Sequence, residues 1–167
     1  MRYLVLAFCV VTAACAGTSP SAPTALSSTI LGAAVTEARG GSELPFSGTL
    51  QATETVAGAL HRLNGAGEAT HLGRFTLTSE FTVTPPPAST ASGTATWTAA
   101  NGDEILTSTA GQAVITFPVA AITETHTIVG GTGRFADASG SLVLDRSLNL
   151  QTLVSSASLT GTISLGH

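Results

Sequence analysis

From Leu44 onward the chain alternates apolar or small residues with polar ones at a period of two. Phe46, Gly48, Leu50 and Ala52 alternate with Ser47, Thr49, Gln51 and Thr53. Phe75, Leu77, Ser79, Phe81 and Val83 alternate with four threonines and Glu80. Such alternation puts one face of a half-buried strand toward a core. Pro85-Pro86-Pro87 ends the second run, because proline cannot donate to a sheet ladder. Ala95, Trp97 and Ala99 form a third run. Asn101-Gly102 then predicts a tight hairpin turn, with a returning strand over Glu104 to Thr109. Ala110-Gly111-Gln112 is expected to be another turn. Residues 113–129 are expected to be one bent strand or two, broken near Pro118, and Arg62 is expected in a loop. Ser141 to Leu150 and Leu153 to Leu165 complete the set as a last hairpin. Seven or eight regularly spaced strands, with no helical periodicity after residue 40, predict an all-β sandwich or up-and-down barrel. Closure into a barrel would remove exposed sheet edges.

The beginning of the chain has a different pattern. Arg2 precedes an apolar run, Leu4 to Val11, and small residues follow at Thr12-Ala13-Ala14-Cys15-Ala16. This is the layout of a secretory signal peptide, and the run is too short for a membrane-spanning helix. We read residues 1–14 as a signal peptide, 15–42 as a flexible Ser/Pro/Ala/Thr-rich tether and 43–167 as the barrel domain. Thr12-Ala13-Ala14-Cys15 resembles a bacterial lipobox with threonine in place of the usual leucine. We therefore expect Cys15 to be lipidated and the protein to sit in the cell envelope on that lipid anchor. Plain secretion after cleavage at Ala16 is the alternative.

Composition narrows the partners. The 167 residues carry 10 acidic and 6 basic side chains, for a net charge of −4. The basic residues are all arginine, and the negative balance argues against a nucleic-acid surface. Threonine occurs 27 times, as suits pleated strands. The two cysteines, Cys9 in the leader and Cys15 at the start of the tether, both precede the domain, so we expect neither a disulfide nor cysteine chemistry in it.

The richest stretch runs from Thr125 to Gly140. Gly130, Gly131 and Gly133 can turn the chain freely. Phe135 is the one large apolar group of the connection and is expected to fold over the barrel end. Ala136, Ala138 and Gly140 permit close backbone approach. A dinucleotide fingerprint would need a third glycine and a following helix. Here Ala136 stands at that position and an alternating strand follows, so we set a nucleotide site aside.

Polar groups interrupt two apolar faces. Ile122, Glu124, His126 and Ile128 share one face, and Leu142, Leu144, Arg146, Leu148 and Leu150 share another. In a barrel these faces line the lumen. A turn through residues 134–136 would set Glu124 opposite Arg146 as a pair of opposite charges, with His126 within reach of a ligand. His71 and Trp97 are further lumen candidates, Trp97 chiefly as a core residue. The ordinary reading of the charges is a structural ion pair. His71, His126 and Glu124 lack close metal-ligand spacing, so no metal site is expected. No Gly-x-Ser-x-Gly or His-Glu-x-x-His motif occurs.

The residues Ile128-Val129-Gly130-Gly131-Thr132-Gly133-Arg134-Phe135, followed by Ala136-Asp137-Ala138-Ser139-Gly140, resemble the loop VGGTGxFxxAxG of dirigent proteins and allene oxide cyclases. His71-Leu72-Gly73-Arg74-Phe75 and the hairpin from Trp97 to Asp103 look like those of bacterial exported relatives. The resemblance covers roughly residues 44–166. It implies a calycin-like, eight-stranded antiparallel barrel with an apolar central cavity and no cofactor. The glutamate and cysteine of the plant cyclases, and the paired aspartates and arginines of dirigent proteins, do not carry over residue by residue. Catalytic residues are thus left unassigned. The primary expectation is a non-enzymatic envelope barrel that binds a small apolar molecule in its lumen. A cofactor-independent cyclase or coupling guide is the first alternative, and a structural surface protein is the second.

Overall fold

The computed structural model describes residues 42–166. The proposed leader 1–14, Cys15 and the tether up to residue 41 lie outside the described residues.

Eight strands follow one another: β1 Leu44–Ala57, β2 Leu60–Ala69, β3 Gly73–Thr84, β4 Thr90–Ala99, β5 Glu104–Thr116, β6 Val119–Gly131, β7 Ser139–Asn149 and β8 Val154–Ser164. Each pairs antiparallel with the next, and β8 pairs with β1, so the sheet closes into a barrel in sequence order. The pattern left open a sandwich or a barrel of seven or eight strands; the all-β, eight-stranded antiparallel barrel that the resemblance implied is what forms. A single 3-10 turn, Gly133–Phe135, lies between β6 and β7.

Two local expectations are corrected and one left open is decided. Residues 60–69 form a strand paired on both sides, so Arg62 is a strand residue and not a loop residue. Its inward positions include Gly65 and Gly67, which leave no apolar signal to alternate. Built side chains there would collide with Leu50 and with Phe75. Ala110-Gly111-Gln112 is continuous strand within β5, held between Ala91 and Glu124. Gly111 is there for space, because a Cβ would lie 2.9 Å from the Glu124 Cγ. Residues 113–129 are divided between two strands, with Phe117-Pro118 as the turn between them.

The barrel has two unlike ends. Both described chain ends, together with the β2–β3, β4–β5 and β6–β7 connections, lie at one end. This end is packed solid: Phe46, Trp97, Ile105, Phe135, Leu142 and Ile163 are all buried to within 2%. Phe135 folds inward as a plug, and the Arg134 guanidinium stacks over its ring at 4.7 Å. The glycine loop is tied to β5. Thr132 N–H donates to the Glu104 carbonyl, and Glu104 N–H donates to Thr132 Oγ1 at 2.9 Å. Gly130 (φ 149), Gly133 (φ 55) and Gly140 (φ 136) occupy positive φ, while Gly131 is needed for close approach to the Glu104 carbonyl. The loop thus serves to close this end.

Candidate functional site

The opposite end carries the β1–β2, β3–β4, β5–β6 and β7–β8 connections and opens into a cavity of about 130 Å³. Its walls are apolar, with Phe81, Val83, Ile115, Ile122, Leu148 and Leu150 among them. Its floor is ionic. Arg146 projects inward from β7 and forks between two carboxylates: Nη1 donates to Glu54 Oε2 at 2.7 Å and Nη2 donates to Glu124 Oε1 at 2.6 Å. All three side chains are largely or fully withdrawn from solvent.

The strand pattern explains how these groups meet. Arg146 has Ile122 and Ala157 as its strand neighbours, and Glu124 faces Leu144. Glu124 and Arg146 are therefore diagonal rather than directly opposite, two residues from the expected register. A two-residue offset keeps both side chains on the same face, and long side chains bridge a diagonal readily. To reach Glu54, Arg146 crosses over β8, whose inward residues at this level are the small Ser155 and Ala157.

Glu54 also bonds His61 Nδ1 at 2.5 Å. His61 faces the cavity, and its ring packs 5.5 Å from Phe81. No described residue hydrogen-bonds its Nε2. With Nδ1 engaged by the carboxylate, Nε2 is the ring nitrogen left for a cavity partner, and in the neutral ring that donates from Nδ1 it is an acceptor. This is the arrangement by which a carboxylate orients a histidine as proton acceptor.

Burial pushes the Glu124 carboxyl upward, but the neighbouring His126 and the Arg146 guanidinium outweigh it and hold the group below its ordinary 4.5. The His126 Nε2 lies 3.7 Å from Glu124 Oε2, too far for a hydrogen bond, so its influence there is electrostatic. Burial likewise opposes the charge on Arg146, and the Glu124 and Glu54 carboxylates overcome it, raising the guanidinium above its ordinary value. The floor holds two carboxylates and one guanidinium, so it is one positive charge short of neutral unless a histidine is protonated.

The residues expected in the lumen separate into three groups. Glu124 and Arg146 line the cavity. His126 and Trp97 point inward but belong to the filled half. His126 packs edge-on against Trp97 at 5.2 Å, and its Nδ1 is 3.1 Å from Thr107 Oγ1, which also accepts from Trp97 Nε1 at 3.3 Å. His71 is not in the lumen: it is exposed in the β2–β3 turn at φ 64, with Nε2 3.1 Å from the Pro45 carbonyl. Gly73 sits at positive φ in the same turn and breaks the alternation that linked His71 to Phe75. Glu54 and His61 were missed. Glu54 was legible, since it continues the series Phe46, Gly48, Leu50, Ala52. His61 was not, because beyond Leu63 the strand carrying it has glycine at its inward sites, Gly65 and Gly67. Among the described residues, no trio of His, Cys, Asp and Glu is arranged to hold a metal ion.

A closed eight-stranded antiparallel barrel, solid at one end and open to an ionic-floored apolar cavity at the other, defines the class as a lumen-bearing β-barrel, a fold it shares with solved dirigent proteins. The similarity is one of structure. The chain resembles the pterocarpan synthase dirigent protein GePTS1 at 12% identity and TM-score 0.58, covering 86% of this chain and 98% of that one. It also resembles the pterocarpan synthase dirigent protein PsPTS1 at 9% identity and TM-score 0.57, covering 75% and 97%. No protein-family model and no curated protein sequence matches the chain.

Proposed function

We propose that this barrel binds a small, mostly apolar molecule in the open half of its lumen. The polar end of that molecule would rest on His61 and the Glu54–Arg146–Glu124 floor. The observation that carries the reading is the pairing of apolar walls with a histidine whose Nε2 faces the cavity unpartnered. Apolar pockets with a few convergent polar groups are the usual form of small-molecule sites. The N-terminal pattern supports export, with Cys15 as a lipid anchor in the cell envelope.

A catalytic version of the same site is the second reading, as a cofactor-independent cyclase or coupling guide. What favours it is Glu54, which fixes His61 to accept a proton from a bound molecule. Titration with a library of small apolar compounds, read by thermal shift and by NMR of His61, tests both. The binding reading expects hits that move the His61 resonances and vanish in Val83→Trp, which fills the cavity. Product formation that disappears in His61→Gln with binding retained would select the catalytic version. Hits that ignore both substitutions would remove the lumen from consideration.

A further inference from the structure

Four of the eight large exposed hydrophobic residues among those described lie together in the β5–β6 hairpin. Residues 114–119 are six consecutive exposed positions, Val114-Ile115-Thr116-Phe117-Pro118-Val119, and only Thr116 carries a polar side chain. Val114 is 72% exposed, Phe117 71%, Ile115 48% and Val119 39%. The two arms are paired with each other, Val114 with Ala121 and Thr116 with Val119. The hairpin tip therefore presents apolar side chains on both faces, Ile115 toward the cavity and Val114 away from it. Runs of this kind are destabilising in water unless they meet something.

The rest of the rim agrees. The connections around the mouth, Gly58-Ala59, residues 85–89, Phe117-Pro118 and residues 150–153, contain no ionisable side chain. The closed end carries Glu68, Arg74, Asp103, Glu104, Arg134 and Asp137. The molecule is thus polarised along its axis, with charge at the closed end and an uncharged apolar rim at the open one.

We infer that the open end docks on a lipid bilayer, with the β5–β6 tip inserted at the headgroup–acyl boundary. A protein partner covering one face of the hairpin would leave the other apolar face in water, whereas lipid surrounds both. Three residue pairs extend about 10 Å at roughly 3.3 Å per residue, which matches the 5–10 Å to which interfacial elements enter a membrane. The two arms pair with each other and the β6 arm pairs also with β7, so the backbone groups that insertion leaves without a ladder partner are those on the β4-facing edge of residues 114–116. Because the rim has no ionisable groups, attachment needs no anionic lipid and is insensitive to salt. The cavity opens inside this rim, so docking sets it against a reservoir of apolar molecules. The docking stands on the rim alone and holds whether or not the lumen binds a ligand.

The test uses the full chain with pure phosphatidylcholine vesicles whose acyl chains are brominated just below the headgroups. Phe117→Trp, and independently Val114→Trp, place an indole on the tip. Val129→Trp places one at the closed end, where Val129 is 66% exposed. The buried Trp97 signal of the unsubstituted chain is subtracted. We expect the tip indoles to lose at least half of their emission to bromine, equally at low and high salt, and the Val129→Trp indole to lose none. Three results overturn the docking. One is a chain that stays in solution, and another is a chain that sediments with vesicles while both tip indoles remain unquenched, which would mean attachment through another segment. The third is a tip indole shielded without lipid in proportion to protein concentration, which would mean that a second copy covers the tip.

Discussion

Removing Arg146 tests the buried floor most directly. Arg146→Met keeps the bulk of the side chain and deletes the charge, leaving Glu54 and Glu124 facing one another with no cation between them. The Arg146 and Glu54 side chains are 2% and 3% exposed, so water screens little of the loss. Breaking a buried pair by deleting one partner costs about 3–5 kcal/mol, a large share of the roughly 5–15 kcal/mol that holds a domain together. At about 4 °C per kcal/mol for a domain of this size, the melting temperature should fall by roughly 12–20 °C. Arg62→Met is the control. Its 2.7 Å pair with Glu80 lies on the outer wall with side chains 62% and 53% exposed, so it should cost about 0–1 kcal/mol. Adding Glu54→Gln and Glu124→Gln to Arg146→Met should recover most of the loss, because a buried ion set can be replaced as a whole at little cost. The pH profiles should slope in opposite directions. In the native chain the lowered Glu124 contributes stability that is fully present above its ordinary 4.5 and is lost as pH falls through the lower folded value. In Arg146→Met the unpaired carboxylates are pushed up by burial and by each other, so stability is lost as pH rises through them. The gap between the two proteins should therefore narrow from pH 7.5 to pH 5 in urea melts. A gap that is constant with pH, or an Arg146→Met cost no larger than that of Arg62→Met, would refute the reasoning.

Three further outcomes are expected. Gly133→Val combines a left-handed φ of 55° with a Cβ that would lie 1.9 Å from Asp103 Oδ1, so it should destabilise the closed end by about 1–3 kcal/mol in chemical denaturation. Thr107→Val leaves the Trp97 indole N–H and His126 Nδ1 without their shared partner and should cost about 1–3 kcal/mol, with a changed near-ultraviolet Trp signal. Cys15→Ser should move the protein from the membrane fraction to the soluble fraction if the lipobox reading holds; an unchanged distribution would remove the lipid anchor.

The period-two alternation was enough to determine the all-β class and most of the strands, because burying one face of a strand fixes which residue types can stand on it. It also put Glu124 and Arg146 on inward faces, and a two-residue error in register did no harm because side-chain direction repeats every two residues. The glycines of residues 130–140 announced a close-packed connection and Phe135 its plug, both consequences of backbone sterics that act locally. The alternation failed at β2, where inward glycines make room for Leu50 and Phe75, and at Gly111, where a turn-like tripeptide is strand because Glu124 needs the space. Those requirements come from neighbouring strands and are not written in the segments themselves. The same holds for the site. Glu54 and Arg146 are 92 residues apart and meet only because the sheet closes between β8 and β1 across the small Ser155 and Ala157. Which half of the lumen is solid and which is open was likewise decided by closure, since the large side chains of several strands gather at one level of the barrel and leave the other to Arg146, its two carboxylates and His61.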